Sequence, residues 1–221
     1  MKRFVIAFLN AFIKITGYPV KLFALRFKVR YEDKSVQSRR IKGKAIVASN
    51  HTALLDFATM MYLFPFRTLR CVAGEVLYDK GFLMRVFLFM AGALKVDRNS
   101  HDFSFITKAQ RILDKGGVIE IYPEARLPRE GEVLPLEFKP STVYLALESG
   151  APIIPVYHGG EYLKGEKIKA MIGKPIDARE LYDDALSQSE NIEKITEYLR
   201  GKIIELGEEF ERQEAKEAQK K

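Results

Sequence analysis

Ala48 to Asp56 reads A-S-N-H-T-A-L-L-D and places a histidine, His51, five residues before a carboxylate, Asp56. A histidine held by a carboxylate is a ready general base: the acid fixes the tautomer and stabilises the imidazolium that forms when a proton is taken. The chain has no Gly-x-Ser-x-Gly elbow, no Cys-x-x-Cys pair and no phosphate loop ending in Gly-Lys-Ser/Thr. The pair therefore suits activation of a hydroxyl on a substrate rather than on the protein. The alternative is a structural histidine near a capping asparagine.

The spacing constrains the elements around it. On one helix, residues five apart point about 140° apart at 3.6 residues per turn, so the two side chains would not meet. They meet if His51 lies in the loop after a strand and Asp56 in the first turns of the next helix. The residues fit that arrangement. Ala45 to Ala48 is apolar and strand-like, and Asn50 or Thr52 is placed to cap a helix. Leu54, Leu55, Ala58, Met61 and Tyr62 then give helical spacing to about Leu63.

Three later segments join this pair: G-A-L-K-V-D-R (Gly92–Arg98), Y-P-E-A-R (Tyr122–Arg126) and A-P-I-I-P-V (Ala151–Val156). Together the four blocks resemble the glycerolipid acyltransferase family, which contains the 1-acyl-glycerol-3-phosphate acyltransferases, and they spread over about half of the chain. The resemblance implies a catalytic pair His51 and Asp56, with Asn50, Arg98, Glu124, Arg126 and Lys139 as substrate-binding candidates. It implies no metal and no cofactor, with acyl-CoA or acyl-carrier protein as co-substrate. Arginine suits phosphate through bidentate contact. Solvated arginines and a surface ion pair are the plain readings of Arg98, Glu124 and Arg126. The third block departs from the commoner Pro-Glu-Gly-Thr-Arg pattern: Ala125 stands at the glycine and the arginine follows the glutamate by two residues. That departure bears on the acceptor headgroup more than on the chemistry. Phe138-Lys139-Pro140-Ser141 resembles the family's Phe-Lys-x-Gly segment, with Ser141 in place of glycine; a lysine snorkelling at a helix start is the plain reading of Lys139.

Strand-like runs near Ala45–Ala48, Leu69–Ala73, Ala93–Val96, Gly117–Ile121, Pro152–Val156 and Lys167–Ile172 alternate with helix-like pieces near Ala53–Leu63, Glu75–Ala91, Phe103–Asp114 and Thr142–Ser149. That order predicts a single α/β domain with a mostly parallel central sheet flanked by helices. A long charged helix is expected from Asn191 to Gln219. The predicted division is an N-terminal membrane-associating helical segment (1–30), an α/β acyltransferase domain (31–213) and a charged tail (214–221). A chain of 221 residues with 47% hydrophobic and 29% charged residues can bury such a core. Its one cysteine, Cys71, allows no internal disulfide and points to a reducing compartment.

Charge is uneven. Residues 1–45 hold twelve Lys/Arg against two Asp/Glu, and the remainder 24 against 27. Phe4 to Ile13 is apolar except for Asn10, and Arg3, Ala7, Asn10 and Lys14 form a narrow stripe at helical spacing. Gly17 and Pro19 interrupt, and a second apolar piece runs to Phe27. Neither reaches the roughly 20 residues of a span. The pattern predicts two short helices lying in one leaflet, with Lys21, Arg26, Lys28 and Arg30 toward anionic headgroups. Alternatives are a signal peptide, which lacks an Ala-x-Ala site, and a core hairpin. No nucleic-acid module is recognisable. Expected partners are membrane lipids, a lysophospholipid acceptor and acyl-carrier protein, at the cytoplasmic face of a bacterial plasma membrane. Phe82–Ala91, apolar nearly all round, is read as the wall of an acyl-chain tunnel, with ordinary core or a second membrane-facing surface as alternatives.

Overall fold

Apolar runs too short for helices and rich in Val and Ile become the strands of one sheet in the computed structural model. The structure describes residues 2–96, 104–159 and 167–219. The strands are β1 (Phe27–Tyr31), β2 (Ala45–Ser49), β3 (Leu69–Gly74), β4 (Leu94–Val96), β5 (Val118–Ile121), β6 (Ile153–Gly159) and β7 (Ile168–Ile172). They lie in the order β1-β7-β6-β2-β5-β3-β4. Among the described residues every pairing is parallel except β6 against β7. Parallel strands are covered on both faces and read as continuous apolar runs; β2 and β5 are buried at every position. The helices are α1 (Lys2–Thr16), α2 (Tyr18–Ala24), α3 (Asp56–Leu63), α4 (Glu75–Tyr78), α5 (Phe82–Ala91), α6 (Ser104–Leu113), α7 (Ser141–Ser149) and α8 (Gln188–Ala218). This is the expected α/β domain with a mostly parallel sheet.

Strand alternation sorts the core into two layers. Ile46, Ala48, Ile119 and Ile121 face α6, α7 and α8 through Ala109, Leu145 and Leu199. Val47, Val118, Ile154 and Val156 face α3 through Met60, Leu63 and Phe64. The second layer carries the chemistry, because α3 begins with Asp56.

Three local expectations change. The run Glu75–Ala91 is two helices, broken before Gly81, whose φ of 110° belongs to glycine. Residues 27–30, expected within the helical segment, form with Tyr31 an edge strand paired with β7. Its odd positions, Phe27, Val29 and Tyr31, pack on the core. Its even positions do not wait for headgroups: Lys28 pairs with Glu214 at 2.8 Å and Glu217 at 3.1 Å, and Arg30 with Glu217 at 2.7 Å. The same ion pairs hold the last turns of α8, which runs to Ala218, close to the expected Gln219, so the first residues of the charged tail belong to the helix.

Helix α1 turns two polar residues toward the protein and several large apolar ones outward. Asn10 is buried against Met61, and Lys14 donates to the carbonyls of Pro65 (3.2 Å) and Arg67 (2.7 Å). The apolar side of α1, Phe4, Phe8, Phe12 and Ile15, is exposed. Phe23 of α2 and Phe82, Leu83 and Phe89 of α5 are exposed too, and α1 packs beside α5. No described helix is long and apolar enough to cross a membrane.

Candidate active site

The site forms where β2 leaves the sheet. Ser49, still buried, donates its hydroxyl to the Val156 carbonyl at 2.8 Å, which removes it as a nucleophile beside His51. Asn50 continues the ladder with its side chain: Nδ2 donates to the His158 carbonyl (2.8 Å) and Oδ1 accepts from the His158 amide (2.9 Å). The chain then turns, and three groups fix His51. Its amide donates to Glu124 Oε1 at 2.7 Å, its ring stacks on Tyr122 with centroids 4.4 Å apart, and its Nδ1 lies 2.7 Å from Asp56 Oδ2.

Asp56 is fully buried. Its Oδ2 also accepts from the amides of Thr52 (2.7 Å) and Ala53 (2.9 Å). Those amides belong to the turn before α3; the residue before Asp56, Leu55, makes no side-chain cap, and neither Asn50 nor Thr52 acts as the cap the sequence predicts. A carboxylate in the first helical turn also meets the positive end of the helix dipole. Burial alone would raise the Asp56 pKa. Hydrogen bonds from His158 and His51, the field of His158 and the Ala53 amide outweigh burial and hold the group well below the usual carboxylate range. With Asp56 ionised, His51 Nδ1–H donates to it and Nε2 keeps its lone pair, the arrangement a general base requires. His51 borders a mostly apolar cavity of about 190 Å³ with Leu54, Phe57, Cys71, Val76 and Leu77. Cys71, its thiol pushed up by burial, is an apolar wall there.

The other candidates are dispersed. Glu124 is buried and braces two loops, accepting from the amides of His51 and Leu136 (2.9 Å). Burial raises its pKa, against those two hydrogen bonds. Arg126 grips Glu132 with two bonds of 2.7 Å each, and that contact holds the Glu132 carboxyl down at about 2. Lys139 is exposed and lines a separate groove of about 960 Å³ between α6, α7 and α8, whose described lining does not include His51. Asn50 is engaged at both ends of its amide by the backbone of His158. Arg98 lies outside the described residues. Ala125 has a φ of 58°, which explains why a glycine suits this position. Phe82–Ala91, expected as tunnel wall, is absent from the described lining of the His51 cavity and leaves Phe82, Leu83 and Phe89 exposed instead.

Two contributors escaped the sequence reading. His158 is buried, and its Nε2 sits 2.8 Å from the Asn50 carbonyl and 3.5 Å from Asp56 Oδ2. Alternation carries the signal: Ile154 and Val156 face α3, and His158 follows on the same face. Glu120, also buried, accepts from the Tyr122 hydroxyl at 2.6 Å, beneath the ring that stacks on His51. Its place within V-I-E-I, every residue of which is buried, was the available sign.

The acyltransferase family model matches residues 26–159, more than half of the chain. The 1-acyl-sn-glycerol-3-phosphate acyltransferase beta of Homo sapiens is 25% identical over 151 residues, covering 66% of this chain and 52% of that protein. The 1-acyl-sn-glycerol-3-phosphate acyltransferase of Limnanthes douglasii is 27% identical over 190 residues, covering 84% and 64%. The chain thus spans between about half and two thirds of these relatives' own length. The crystal structure of the 1-acyl-sn-glycerophosphate acyltransferase PlsC from Thermotoga maritima shares the fold, with a TM-score of 0.61 at 21% identity over 93% of this chain and 81% of that one. The matched residues run from the β1 edge through the His51–Asp56 turn to the end of β6, and on that match the chain belongs to the acyltransferase family.

Proposed function

We propose that the chain moves a fatty acyl group from an acyl thioester, acyl-CoA or acyl-carrier protein, to the free hydroxyl of 1-acyl-glycerol-3-phosphate, giving phosphatidic acid. The observation that carries this reading is the 2.7 Å contact of His51 Nδ1 with a buried, ionised Asp56, which leaves Nε2 as a base beside an apolar cavity. In the proposed reaction His51 Nε2 takes the proton of the glycerol hydroxyl as its oxygen attacks the thioester carbonyl. The tetrahedral intermediate collapses, the C–S bond breaks, and the leaving thiolate recovers the proton from His51. No acyl-enzyme forms. A base of this kind supplies about 10²–10⁴-fold, and positioning of the two substrates supplies much of the rest.

The exposed apolar side of α1, α2 and α5 supports attachment to a membrane surface, where both lipids reside. Phosphate recognition falls to Arg126, for which an incoming phosphate competes with Glu132, and to Arg98 and Lys139. The occupied Arg126 favours a second reading, transfer to a lysolipid with another headgroup.

The test uses the full chain on lipid vesicles with labelled acyl-CoA and lysophosphatidic acid, beside His51→Ala. Phosphatidic acid formed by the wild type and reduced at least about 10²-fold in the variant, with unchanged circular dichroism, is the expected result. Equal turnover by both proteins would overturn the role of His51. Free fatty acid released without acceptor would mark a hydrolase, and a product seen only with another lysolipid would select the second reading.

A further inference from the structure

We propose that His158 is a positioning residue for the His51–Asp56 pair: its Nε2–H, anchored on the Asn50 carbonyl, fixes Asp56 Oδ2 against His51 Nδ1. This rests on the base assigned to His51 above. Asp56 Oδ2 lies between two imidazoles, His51 Nδ1 at 2.7 Å and His158 Nε2 at 3.5 Å. Nε2 of His158 is 2.8 Å from the Asn50 carbonyl, which can only accept, so the proton is on Nε2. Nδ1 is buried and has no hydrogen-bond partner among the described residues. A second proton there would be enclosed without an acceptor. Nε2–H is thus the donor that His158 turns toward the Asn50 carbonyl and Asp56.

The backbone makes that donor rigid. Asn50 binds both the amide and the carbonyl of His158, so the loop bearing His51 is locked to β6 at the residue that also touches Asp56. The result is a closed circuit: β6, Asn50, His51, Asp56 and back to His158. Other charges near this circuit come from separate elements. Glu124 approaches from the loop after β5, and Glu208, Glu211 and Arg212 of α8 border the groove beside His158. Lys169 of β7 is engaged with Glu211 and Glu214.

Removing the Nε2–H leaves the Asp56 carboxylate less neutralised on one side. It then stabilises the imidazolium of His51 more strongly, and the acidic limb of the pH–rate profile moves upward. The test compares His158→Leu, which lacks the donor, with His158→Gln, whose amide supplies one at similar reach. Loss of a hydrogen bond to a charged group predicts a kcat reduced about 10- to 100-fold in His158→Leu. KM should change less than about twofold, with the acidic limb shifted up. His158→Gln should recover most of kcat and the wild-type limb. A His158→Leu enzyme that keeps the wild-type pH profile, or a folded His158→Gln as slow as His158→Leu, would overturn the assignment.

A second arm needs no turnover and no leucine variant. Nitrogen-15 spectra of the wild-type imidazoles, with His158 identified by its loss in His158→Gln, should show a proton on Nε2 of His158. An imidazole protonated on Nδ1 alone would overturn the proposal. If the wild type transfers no acyl group, the reaction assigned above fails, and this spectrum alone decides the position of His158.

Discussion

Glu120→Gln separates a buried neutral acid from a buried charge. Glu120 lies in mid-sheet between Val47 of β2 and Cys71 of β3, 1% exposed, with the Tyr122 hydroxyl at 2.6 Å. Burial pushes its pKa from 4.5 to about 8; the Tyr122 bond and the Lys14 charge oppose this and the Asp56 charge adds to it. Below pH 4.5 the folded and unfolded chains both hold the proton. Between 4.5 and about 8 only the folded chain holds it, so stability declines as pH rises through this window and levels off above it. At 1.36 kcal/mol per pH unit, the decline over the whole window is at most about 5 kcal/mol. Glutamine keeps the shape, still accepts from Tyr122 and cannot ionise. Urea unfolding followed by circular dichroism from pH 5 to 8 should show a falling midpoint in the wild type and a flatter one in Glu120→Gln. The gap between them should widen at up to about 1.4 kcal/mol per pH unit. Measurement stops at pH 8 because Lys14, whose pKa burial lowers to about 8, gives the opposite slope above it. Parallel curves for the two proteins would show that Glu120 is ionised in the folded chain and would refute the argument.

Phe8 and Phe23 test the outward face. Both are exposed, so Phe8→Asp and Phe23→Asp should leave the fold intact while each weakens sedimentation with anionic vesicles at least about tenfold, the worth of one phenyl ring leaving an apolar phase; undiminished binding would exclude this face from the membrane. Ala125→Gly should raise the urea midpoint by an amount equivalent to about 0.5–1 kcal/mol, since relief of a left-handed alanine (~1–2 kcal/mol) exceeds the entropy glycine adds (~0.5–1 kcal/mol). A lower midpoint in the glycine variant would show that the backbone there is unstrained.

Periodicity and local chemistry were legible without coordinates. The apolar runs at Ala45–Ala48, Gly117–Ile121 and Pro152–Val156 could bury themselves only as inner strands, and their alternation with helical runs implied a mostly parallel sheet. The His51–Asp56 spacing required a strand, a turn and a new helix, and that is where the two residues lie. These conclusions depend on neighbours within a few residues, whose geometry the 3.6 and 2.0 periods dictate.

Pairing of polar groups depended on the tertiary structure. Whether Lys28 met a headgroup or Glu214, 186 residues away, was not written in either neighbourhood. The same holds for α1, whose composition made it amphipathic while only Met61, Pro65 and Arg67 decided that Asn10 and Lys14 face inward. His158 reached Asp56 because β6 lies beside β2 in register, Val156 opposite Ser49. A hydrogen bond or ion pair is short-ranged and directional, so its partner is chosen by which strands become neighbours, and that choice is made by the buried core as a whole.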